Sequence, residues 1–292
     1  MTGFSDYTAK AFLNWSTGAT AMPALPSVYL ALLTAVDTDA GTGGTEVTGG
    51  SYARTQVAGT LTTNGTTANG NPTLHFASVP SWIVAGMTIY DVTAPTAITA
   101  ATTVLSTTST SVTMSANAAG AGVGGTDVIT FSAFSASSGS APSTVTNSAA
   151  IAFPTATASW GTIIAFELRD ASSSGNLLFW DYLGNYAWLP ATVSFASPGI
   201  VTVKAHGYSA ADPVVWSNEY GGTIPTFSQS TLANAVLAVV SPATDTFSVT
   251  NASTAVNTAS TGNGMIRKIL QQSIPSGITP SFPAASLTAT VA

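Results

Sequence analysis

Short apolar runs alternate with polar, glycine-containing loops along most of the 292-residue chain. The run at residues 28–34 precedes a glycine-rich loop at 37–50, and a second strand pattern begins near Tyr52 and Arg54. Runs of this length, bounded by Gly, Asn, Asp and Ser, are typical of strands joined by turns. The pattern therefore predicts a mostly β protein with this strand–loop–strand unit at its centre.

The N-terminal residues have helical spacing instead. Ser5 is a favourable N-cap, Asp6 places a negative charge in the first turn, and Phe12 and Trp15 follow at helical spacing before Gly18. We expect one short amphipathic helix in this segment. Packing of its aromatic face on the sheet is the favoured interpretation, and docking on a neighbouring subunit is the alternative.

Two polar stretches divide the strand pattern into parts. Residues 59–70 and 135–143 are rich in Thr, Gly, Asn and Ser without an apolar period, which predicts linkers. Each of the two remaining sets of short strands, at 71–132 and 192–262, could fold as a small β module inserted into a β-sandwich core. The predicted boundaries are 1–58, 136–190 and 265–292 for the core, 59–135 for the first module and 191–264 for the second.

The two modules share a local pattern. Residues 104–106 and 112–116 resemble residues 239–241 and 247–251 at the same offset in both strands, with five turn-prone residues between. Upstream, residues 74–76 resemble 203–206, but the spacing is unequal. A repeated module is one interpretation, and chance similarity between Thr- and Ser-rich hairpins is the other.

The charge content narrows the choice of partners. Charged residues make up 6% of the chain and the net charge is −6, whereas an ordinary soluble domain has about 25% charged residues. The six basic residues are scattered, so we expect no nucleic-acid binding. The apolar run at 235–240 is far shorter than the ~18 residues of a membrane helix, and no secretion signal or disulfide framework is predicted.

No catalytic or metal-binding set stands out. His75 and His206 lie in strand and turn patterns and are interpreted as structural. Asp37, Asp39 and Glu46 surround the glycine-rich loop and could offer oxygen ligands to Ca²⁺, but their spacing is not that of an EF-hand. Solvated acidic side chains are the alternative interpretation of this loop, and we predict no bound metal and no cofactor.

Glu167 is the acidic residue with the clearest sequence context, because it interrupts an apolar strand pattern. A glycosidase would need a second carboxylate facing it across a cleft. The candidates for that role are Asp170, Asp181 and Glu219. We favour a structural ion pair between Glu167 and either Arg169 or Arg54.

Large aromatic residues are the interaction candidates, since Trp and Tyr combine a large apolar area with a polar tip. They are Phe12 and Trp15 of the helix and Trp82, Tyr90, Trp188, Trp216 and Tyr220 of the core and modules. For the core and module residues, packing inside the modules or at their interfaces is the favoured interpretation. Stacking on a host-surface glycan is the alternative.

Three segments carry motifs of a known kind. Residues 39–54 have the pattern Asp-Ala-Gly followed by Thr-Glu-Val-x-Gly-Gly-x-Tyr-Ala-Arg, residues 149–182 have Phe-Pro, Trp-Gly and Arg-Asp-Ala, and residues 274–291 close the chain with Ile-Pro-Ser-Gly and Leu-Thr-Ala-Thr-Val. Together, with the first resemblance extending over residues 5–57, they resemble a family of small tailed-phage virion proteins usually labelled tail fibre protein. The resemblance implies a part of the virion and no particular chemistry.

The sequence thus predicts a non-enzymatic structural protein exposed on a tailed-phage virion. Capsid decoration is favoured narrowly over a tail-fibre or tail-tip role, because no long fibrous or heptad segment is present. A carbohydrate-binding host-surface adhesin is the alternative of a different class. The expected partners are other virion proteins and further copies of the chain in a homotrimer, with the N-terminal helix as the candidate anchor to the particle.

Overall fold

The computed structural model describes residues 3–21, 24, 27–139, 143–184, 186–217, 222 and 235–291. Strands hold 41% of the residues and helix 4%, so the chain is mostly β. In the described part there is one helix, α1 (Asp6–Ser16). The strands are β1 (Gly3–Phe4), β2 (Val28–Ala35), β3 (Thr45–Glu46), β4 (Thr55–Gly65), β5 (Thr73–Phe76), β6 (Thr88–Asp91), β7 (Val104–Thr107), β8 (Ser111–Met114), β9 (Val128–Ser132), β10 (Ser143–Thr146), β11 (Ile151–Ala152), β12 (Gly161–Ile163), β13 (Ala165–Arg169), β14 (Leu177–Tyr182), β15 (Leu189–Val193), β16 (Val201–Thr202), β17 (Pro213–Ser217), β18 (Leu237–Val240), β19 (Thr246–Asn251), β20 (Thr254–Ala255), β21 (Gly262–Lys268), β22 (Gln272–Ile274), β23 (Ser281–Phe282) and β24 (Thr288–Val291).

The core of the molecule is a sandwich of two antiparallel layers. One layer has the strand order β1-β14-β13-β2-β4. The other is a long ribbon in which β10, β11 and β12 pair with β24, β23 and β22. Aromatic rings fill the space between the layers, with Phe166 of the sheet 6.2 Å from Phe282 of the ribbon. Strand β2 is apolar at consecutive positions because both of its faces are covered.

The first inserted module is a closed six-stranded barrel, here called barrel 1, formed by β4 to β9. Around the ring, β4 pairs with β5 and β9, β5 with β8, β8 with β7, and β9 with β6. The ring closes between β6 and β7, where the Val104 N–H donates to the Met87 carbonyl and the Gly86 N–H donates to the Val104 carbonyl, each at 2.8 Å. Closure leaves no free strand edge in the barrel.

The second module is also a closed six-stranded barrel, here called barrel 2. Its ring consists of β15, β16, β19, β18, β17 and β21, and it closes through the pairing of β16 with β19 and of β21 with β15. The ring therefore includes β21, which runs to Lys268. The predicted boundary at residue 264 falls inside this strand.

The two barrels have the same topology. In each, the first strand pairs with the second and sixth, the second with the fifth, the fifth with the fourth, the fourth with the third, and the third with the sixth. One register pair is also equivalent, since Val104 lies opposite Met114 in barrel 1 and Val239 lies opposite Val249 in barrel 2, although barrel 1 has a bulge after Val104. This agreement favours the interpretation of the modules as one repeated design.

Strand pairing defines which residues of the second strand are equivalent in the two barrels. Leu74 pairs with Val112 in barrel 1, and Val201 pairs with Phe247 in barrel 2. The equivalent of residues 74–76 is therefore 201–203, and the sequence match to 203–206 was two residues out of register. The unequal spacing came from loops of different length, which sequence similarity alone does not align.

The barrels are attached to the sandwich in different ways. Strand β4 is shared, because its first residues pair with β2 and the remainder with β5 and β9. The apolar interior of barrel 1 is accordingly continuous with the sandwich core. Barrel 2 has an apolar core of its own, and a third cluster joins its outer face to the sandwich sheet.

The prediction of a β-sandwich with one short N-terminal helix and two inserted β modules is confirmed. The prediction of a linker at 59–70 is wrong for residues 59–65, which continue β4. The inward positions of this segment are Gly59, Leu61 and Thr63, and the single Leu between Gly and Thr gives no apolar period. A Cβ atom at Gly59 would lie 2.6 Å from Gln56 Nε2 and 3.3 Å from the Trp82 indole, so these two side chains take the space of the missing one.

The second predicted linker is partly paired as well. Phe134 bridges to Asn147 and Ser138 bridges to Thr144, which closes the two sides of the segment on each other. Residues 140–142 lie outside the described part of the chain. The two described flanks of this segment are therefore paired with each other where the chain returns from barrel 1 to the sandwich.

Candidate interaction surfaces

Helix α1 is held at its first turn. The Ser5 Oγ accepts a hydrogen bond from the Thr8 N–H at 3.2 Å, as expected of an N-cap. The Ser5 N–H donates to the Leu178 carbonyl at 3.1 Å, and the Thr8 hydroxyl donates to the same oxygen at 2.9 Å. These bonds tie the beginning of the helix to β14, at the edge of the sandwich sheet.

The second half of α1 has no such support. No residue of the helix is buried, and Phe12, Leu13 and Trp15 are 48%, 59% and 48% exposed. The rings of Phe12 and Trp15 lie 5.7 Å apart. The favoured interpretation, in which the aromatic face packs on the sheet, is wrong because the helix meets the sheet only at its first turn. The exposed aromatic pair is an apolar patch of the kind found at contact sites.

The residues of the Thr-Glu-Val and Tyr-Ala-Arg motifs form a hydrogen-bonded network. Arg54 makes a two-bond contact with Glu46, at 2.9 Å through Nε and 2.7 Å through Nη2. The Tyr52 hydroxyl donates to Glu46 at 2.9 Å and accepts from the Leu32 N–H at 2.9 Å. Arg54 Nη1 also donates to the Ala171 carbonyl at 2.8 Å. The network ties β2, β3 and β4 to the hairpin between β13 and β14.

A second network surrounds Glu167, which is fully buried. Arg169 Nε donates to Glu167 at 2.6 Å, and Arg169 Nη2 donates to Asp37 at 2.5 Å. Burial raises the pKa of Glu167 although the hydrogen bond and charge of Arg169 lower it. The predicted ion pair of Glu167 is confirmed with Arg169, while Arg54 pairs with Glu46.

The three acidic residues considered for Ca²⁺ have other partners. Asp37 is paired with Arg169, Glu46 with Arg54, and Asp39 accepts a hydrogen bond from the Trp180 indole N–H at 3.0 Å. Across the described residues, no group of three or more His, Cys, Asp or Glu side chains is arranged to hold a metal ion. The arrangement of this loop is that of a structural network.

The aromatic candidates of barrel 1 face different environments. Trp82 is half-buried, and its ring lies 6.4 Å from Phe131 in the barrel core. Tyr90 is 49% exposed on the outer side of β6. Trp82 is therefore a packing residue, whereas Tyr90 offers its ring to solvent.

The candidates of barrel 2 lie mostly at internal contacts. Trp216 is 7% exposed inside the barrel, and Trp188 is half-buried with the Arg267 guanidinium 5.1 Å from its ring centre. Neither position leaves a broad ring face free for a ligand. Tyr220 lies outside the described residues.

The two histidines have no common site. His75 is exposed on β5, whereas His206 is 8% exposed and packs against Phe247 at 4.9 Å. The His206 Nδ1 accepts the Tyr208 N–H at 2.8 Å. Both positions suit the structural roles expected of them from the sequence.

The described helix is also too short and too polar to cross a membrane. A sandwich that carries two closed barrels, with charges used in internal networks and an exposed apolar pair on its helix, is a modular β protein. Residues 3–114 and 88–192 match the family described as podophage GP4 fiber I protein gp80, and together these segments span more than half of the chain. The chain belongs to this family.

Membership makes the chain a component of a phage virion, as expected from the sequence. The matched segments include the resembling stretches at 5–57 and 149–182 and also barrel 1. The resembling residues at 274–291 and nearly all of barrel 2 lie outside them. No curated protein and no solved structure matches the chain.

Proposed function

We propose that this chain is a non-enzymatic structural protein on the outer surface of the phage particle, mounted through α1 and presenting barrel 1 away from the mount. The observation that carries the proposal is the position of the helix. Helix α1 contacts β1 and β14 at one edge of the sandwich sheet, and barrel 1 grows out of β4 at the opposite edge. The uncovered pair Phe12 and Trp15 would bind another virion protein.

The family description supports a position at the tail, as a fibre component. The capsid-decoration role favoured narrowly from the sequence is the other candidate position on the virion. Electron microscopy of particles labelled with antibody against barrel 2 separates the two. Label at the tail is the expected result, and label over the head surface would assign the decoration role instead.

The mounting role of the helix is tested with the double variant Phe12→Ser, Trp15→Ser. Leu105→Ser is the matched control, because Leu105 is an equally exposed apolar residue on barrel 1. We expect the double variant to lose binding to particles that lack the protein, and the control to bind as the unaltered chain does. Equal binding by the double variant would refute the mount.

We further propose a homotrimer, because a surface with so few charges suits faces covered by copies of the same chain. Mass photometry of the purified protein should give three times the 29.2 kDa chain mass. The double variant in α1 should remain a trimer. A variant that binds particles but is monomeric would place α1 between subunits instead.

The adhesin role has one observation in its favour, which is the exposed ring of Tyr90 among neutral outward side chains of barrel 1. Tyr can stack on sugar rings and donate a hydrogen bond. A glycan array with the unaltered chain, Tyr90→Phe and Tyr90→Ala tests this role. Binding retained by Tyr90→Phe and lost by Tyr90→Ala would support it, and no binding by any of them would exclude this site.

A further inference from the structure

Barrel 1 contains a pair of buried acidic side chains with no basic partner. Between residues 59 and 135 the sequence has two Asp residues, Asp91 and Asp127, and no Glu, Lys or Arg. The other ionisable side chains in this segment are His75, exposed on β5, and Tyr90, exposed on the outer side of β6. Asp91 and Asp127 thus carry the only two carboxyl groups of barrel 1, and the barrel has no Lys or Arg of its own to pair with them.

The hydrogen bonds of the pair leave one oxygen without a partner. Asp91 is fully buried, and its Oδ1 accepts the N–H groups of Thr93 and Ala94 at 2.9 and 2.8 Å. Its Oδ2 is buried and has no hydrogen-bond partner. Asp127 is 8% exposed, and its Oδ2 accepts the Gly124 N–H at 2.5 Å. Ile129 is the register partner of Asp91, and Asp127 lies two residues before Ile129, so the two Asp side chains are diagonal neighbours on one face of the β6–β9 pair.

Two carboxylates in this position could not both be ionised without a large cost, since like charges at short range and low solvent access repel strongly. A single proton between them removes the repulsion and supplies the missing partner of Asp91 Oδ2. Burial raises the pKa of Asp91, and the charge and hydrogen bond of Asp127 add to the shift. The pair then carries one negative charge, which three backbone N–H groups stabilise.

The equivalent position in barrel 2 holds no acids. Asp91 lies opposite Ile129 in barrel 1, and Trp216 lies opposite Ile266 in barrel 2. By the same alignment Asp127 corresponds to Gly264, whose added Cβ would lie 2.7 Å from the Trp216 Nε1. The same barrel topology is thus completed by an indole and a glycine, so the fold itself does not require the carboxyl pair.

We propose that Asp91 and Asp127 form a buried binding site for one shared proton, and that release of this proton loosens barrel 1 while barrel 2 stays closed. No other charged group faces the pair from the elements packed against it. Strand β4 contributes the Thr63 hydroxyl, which accepts the Asp127 N–H at 2.9 Å, and β9 contributes apolar side chains. The loops on either side of the pair contribute Thr, Ala and Gly.

The sign of the pH dependence follows from the direction of the shift. The folded barrel holds its proton to a higher pH than the unfolded chain does. The resulting stability is fully present below the ordinary Asp pKa of about 3.9 and is lost as the pH rises through the raised value. Barrel 2 has the opposite tendency at Asp212. Burial raises the pKa of this carboxyl, but the hydrogen bonds from Lys268 and from the Ser209 N–H, together with the Lys268 charge, lower it by more.

Hydrogen exchange of the full-length protein, read by mass spectrometry in peptides from each barrel, separates the two responses. Rates are corrected for the intrinsic pH dependence of exchange. We expect the opening constant of barrel 1 to rise with pH, by at most about tenfold per pH unit for one proton. Peptides of barrel 2 should not follow this rise.

The key variant is Asp91→Asn, whose amide keeps an oxygen acceptor for Thr93 and Ala94 and offers a permanent donor to Asp127. We expect its barrel 1 peptides to lose the pH-dependent rise. Asp245→Asn, at an exposed Asp of barrel 2, is the matched control and should behave as the unaltered chain. Infrared difference spectra across the pH range in which barrel 1 opens should show the loss of a protonated carboxyl band, and Asp91→Asn should remove that band.

Three outcomes would overturn the proposal. The first is a flat pH profile of barrel 1 in the unaltered chain. The second is an unchanged pH-dependent rise in Asp91→Asn or, if that variant does not fold, in Asp127→Asn. The third is protection of barrel 1 by millimolar Ca²⁺ relative to a chelator at constant pH, lost in the Asn variant, which would assign the pair to a cation instead of a proton.

Discussion

Barrels 1 and 2 have the same six-strand topology but are joined to the sandwich by different means. Barrel 1 grows from a strand of the sandwich sheet, and its core is one cluster with the sandwich core. Barrel 2 has a separate core and contacts the sandwich through its outer face. One barrel topology can therefore be attached to a sandwich by continuation of a shared strand or by packing of side chains on its outer face.

Equivalent outward positions explain the difference. Val215 of barrel 2 is fully buried against the sandwich sheet, whereas Tyr90 at the equivalent position of barrel 1 is 49% exposed. Arg267 of barrel 2 is 4% exposed, and its equivalent in barrel 1 is the partly exposed Thr130. The two barrels therefore differ in the outward residues of these strands, while the order of strands in the ring is the same.

Arg267 is the centre of the docking contact. Its guanidinium lies 5.4 Å from the Tyr182 ring centre and 5.1 Å from that of Trp188, and it is paired with Asp181. Burial raises the pKa of Asp181 although Arg267 lowers it. A buried pair of this kind is costly to break, because one charge is left without a partner.

The largest expected effect comes from emptying one barrel core at a time. Phe131→Ala and Trp216→Ala should each cost about 3–5 kcal/mol, since each removes a large buried ring. Hydrogen exchange should show that Phe131→Ala lowers protection in both barrel 1 and the sandwich, which share a cluster. Trp216→Ala should lower protection in barrel 2. Equal losses in the sandwich for both variants would contradict the separate core of barrel 2.

A smaller effect is expected when the docking ion pair is broken. Arg267→Met should destabilise the chain by about 2–3 kcal/mol, because the Asp181 carboxylate, whose side chain is only 21% exposed, loses its guanidinium partner. Chemical denaturation at neutral pH measures the loss. At lower pH the loss should shrink, since the Asp181 pKa rises further in the variant and the protonated carboxyl is neutral.

Lys268→Met is the control for Arg267→Met. Lys268 is adjacent in β21 and pairs with Asp212 at 2.7 Å in a partly exposed position. Such pairs contribute about 0–1 kcal/mol, so the control should lose little stability. If both variants lost the same amount at every pH, Arg267 would not be the residue that holds barrel 2 in place.

The smallest effect is expected from substitutions at the equivalent outward positions Val215 and Tyr90. Val215→Thr buries a hydroxyl in the docking face and should cost about 1–3 kcal/mol. Tyr90→Thr makes the same final side chain on the exposed face of barrel 1 and should stay within about 0.5 kcal/mol. Thermal unfolding of the two variants side by side checks the difference. A reversed order would mean that Tyr90 is covered in the assembled protein.

Local patterns in the sequence were sufficient to predict several elements of the structure. The N-cap at Ser5 and the helical spacing after it predicted α1 closely, since capping and helix periodicity involve near neighbours. The apolar run of β2 predicted a buried strand. Glu167 in an apolar strand next to Arg169 predicted an ion pair, because a buried carboxylate needs a partner and the nearest one was two residues away.

Other features depended on strand pairings between residues far apart in the chain. Residues 59–65 were interpreted as a linker because Gly59 and Thr63 occupy inward positions that Trp82 and backbone groups complete from other strands. The favoured packing of Phe12 and Trp15 failed because only the first turn of α1 meets β14. The position of the sheet edge depends on strand pairings elsewhere in the chain. The sequence of the helix alone therefore does not show which of its residues contact the sheet.

The sequence by itself determined most of the longer apolar strands, where the helix begins, and that the chain would be mostly β with two inserted modules. Only the tertiary structure decided that both modules close into barrels, that Trp216 lies inside one of them, and that Asp91 and Asp127 meet in the other. The physical reason is that barrel closure joins the third strand to the fourth and sixth and the first strand to the sixth. Side chains separated by dozens of residues become neighbours only when those pairings form.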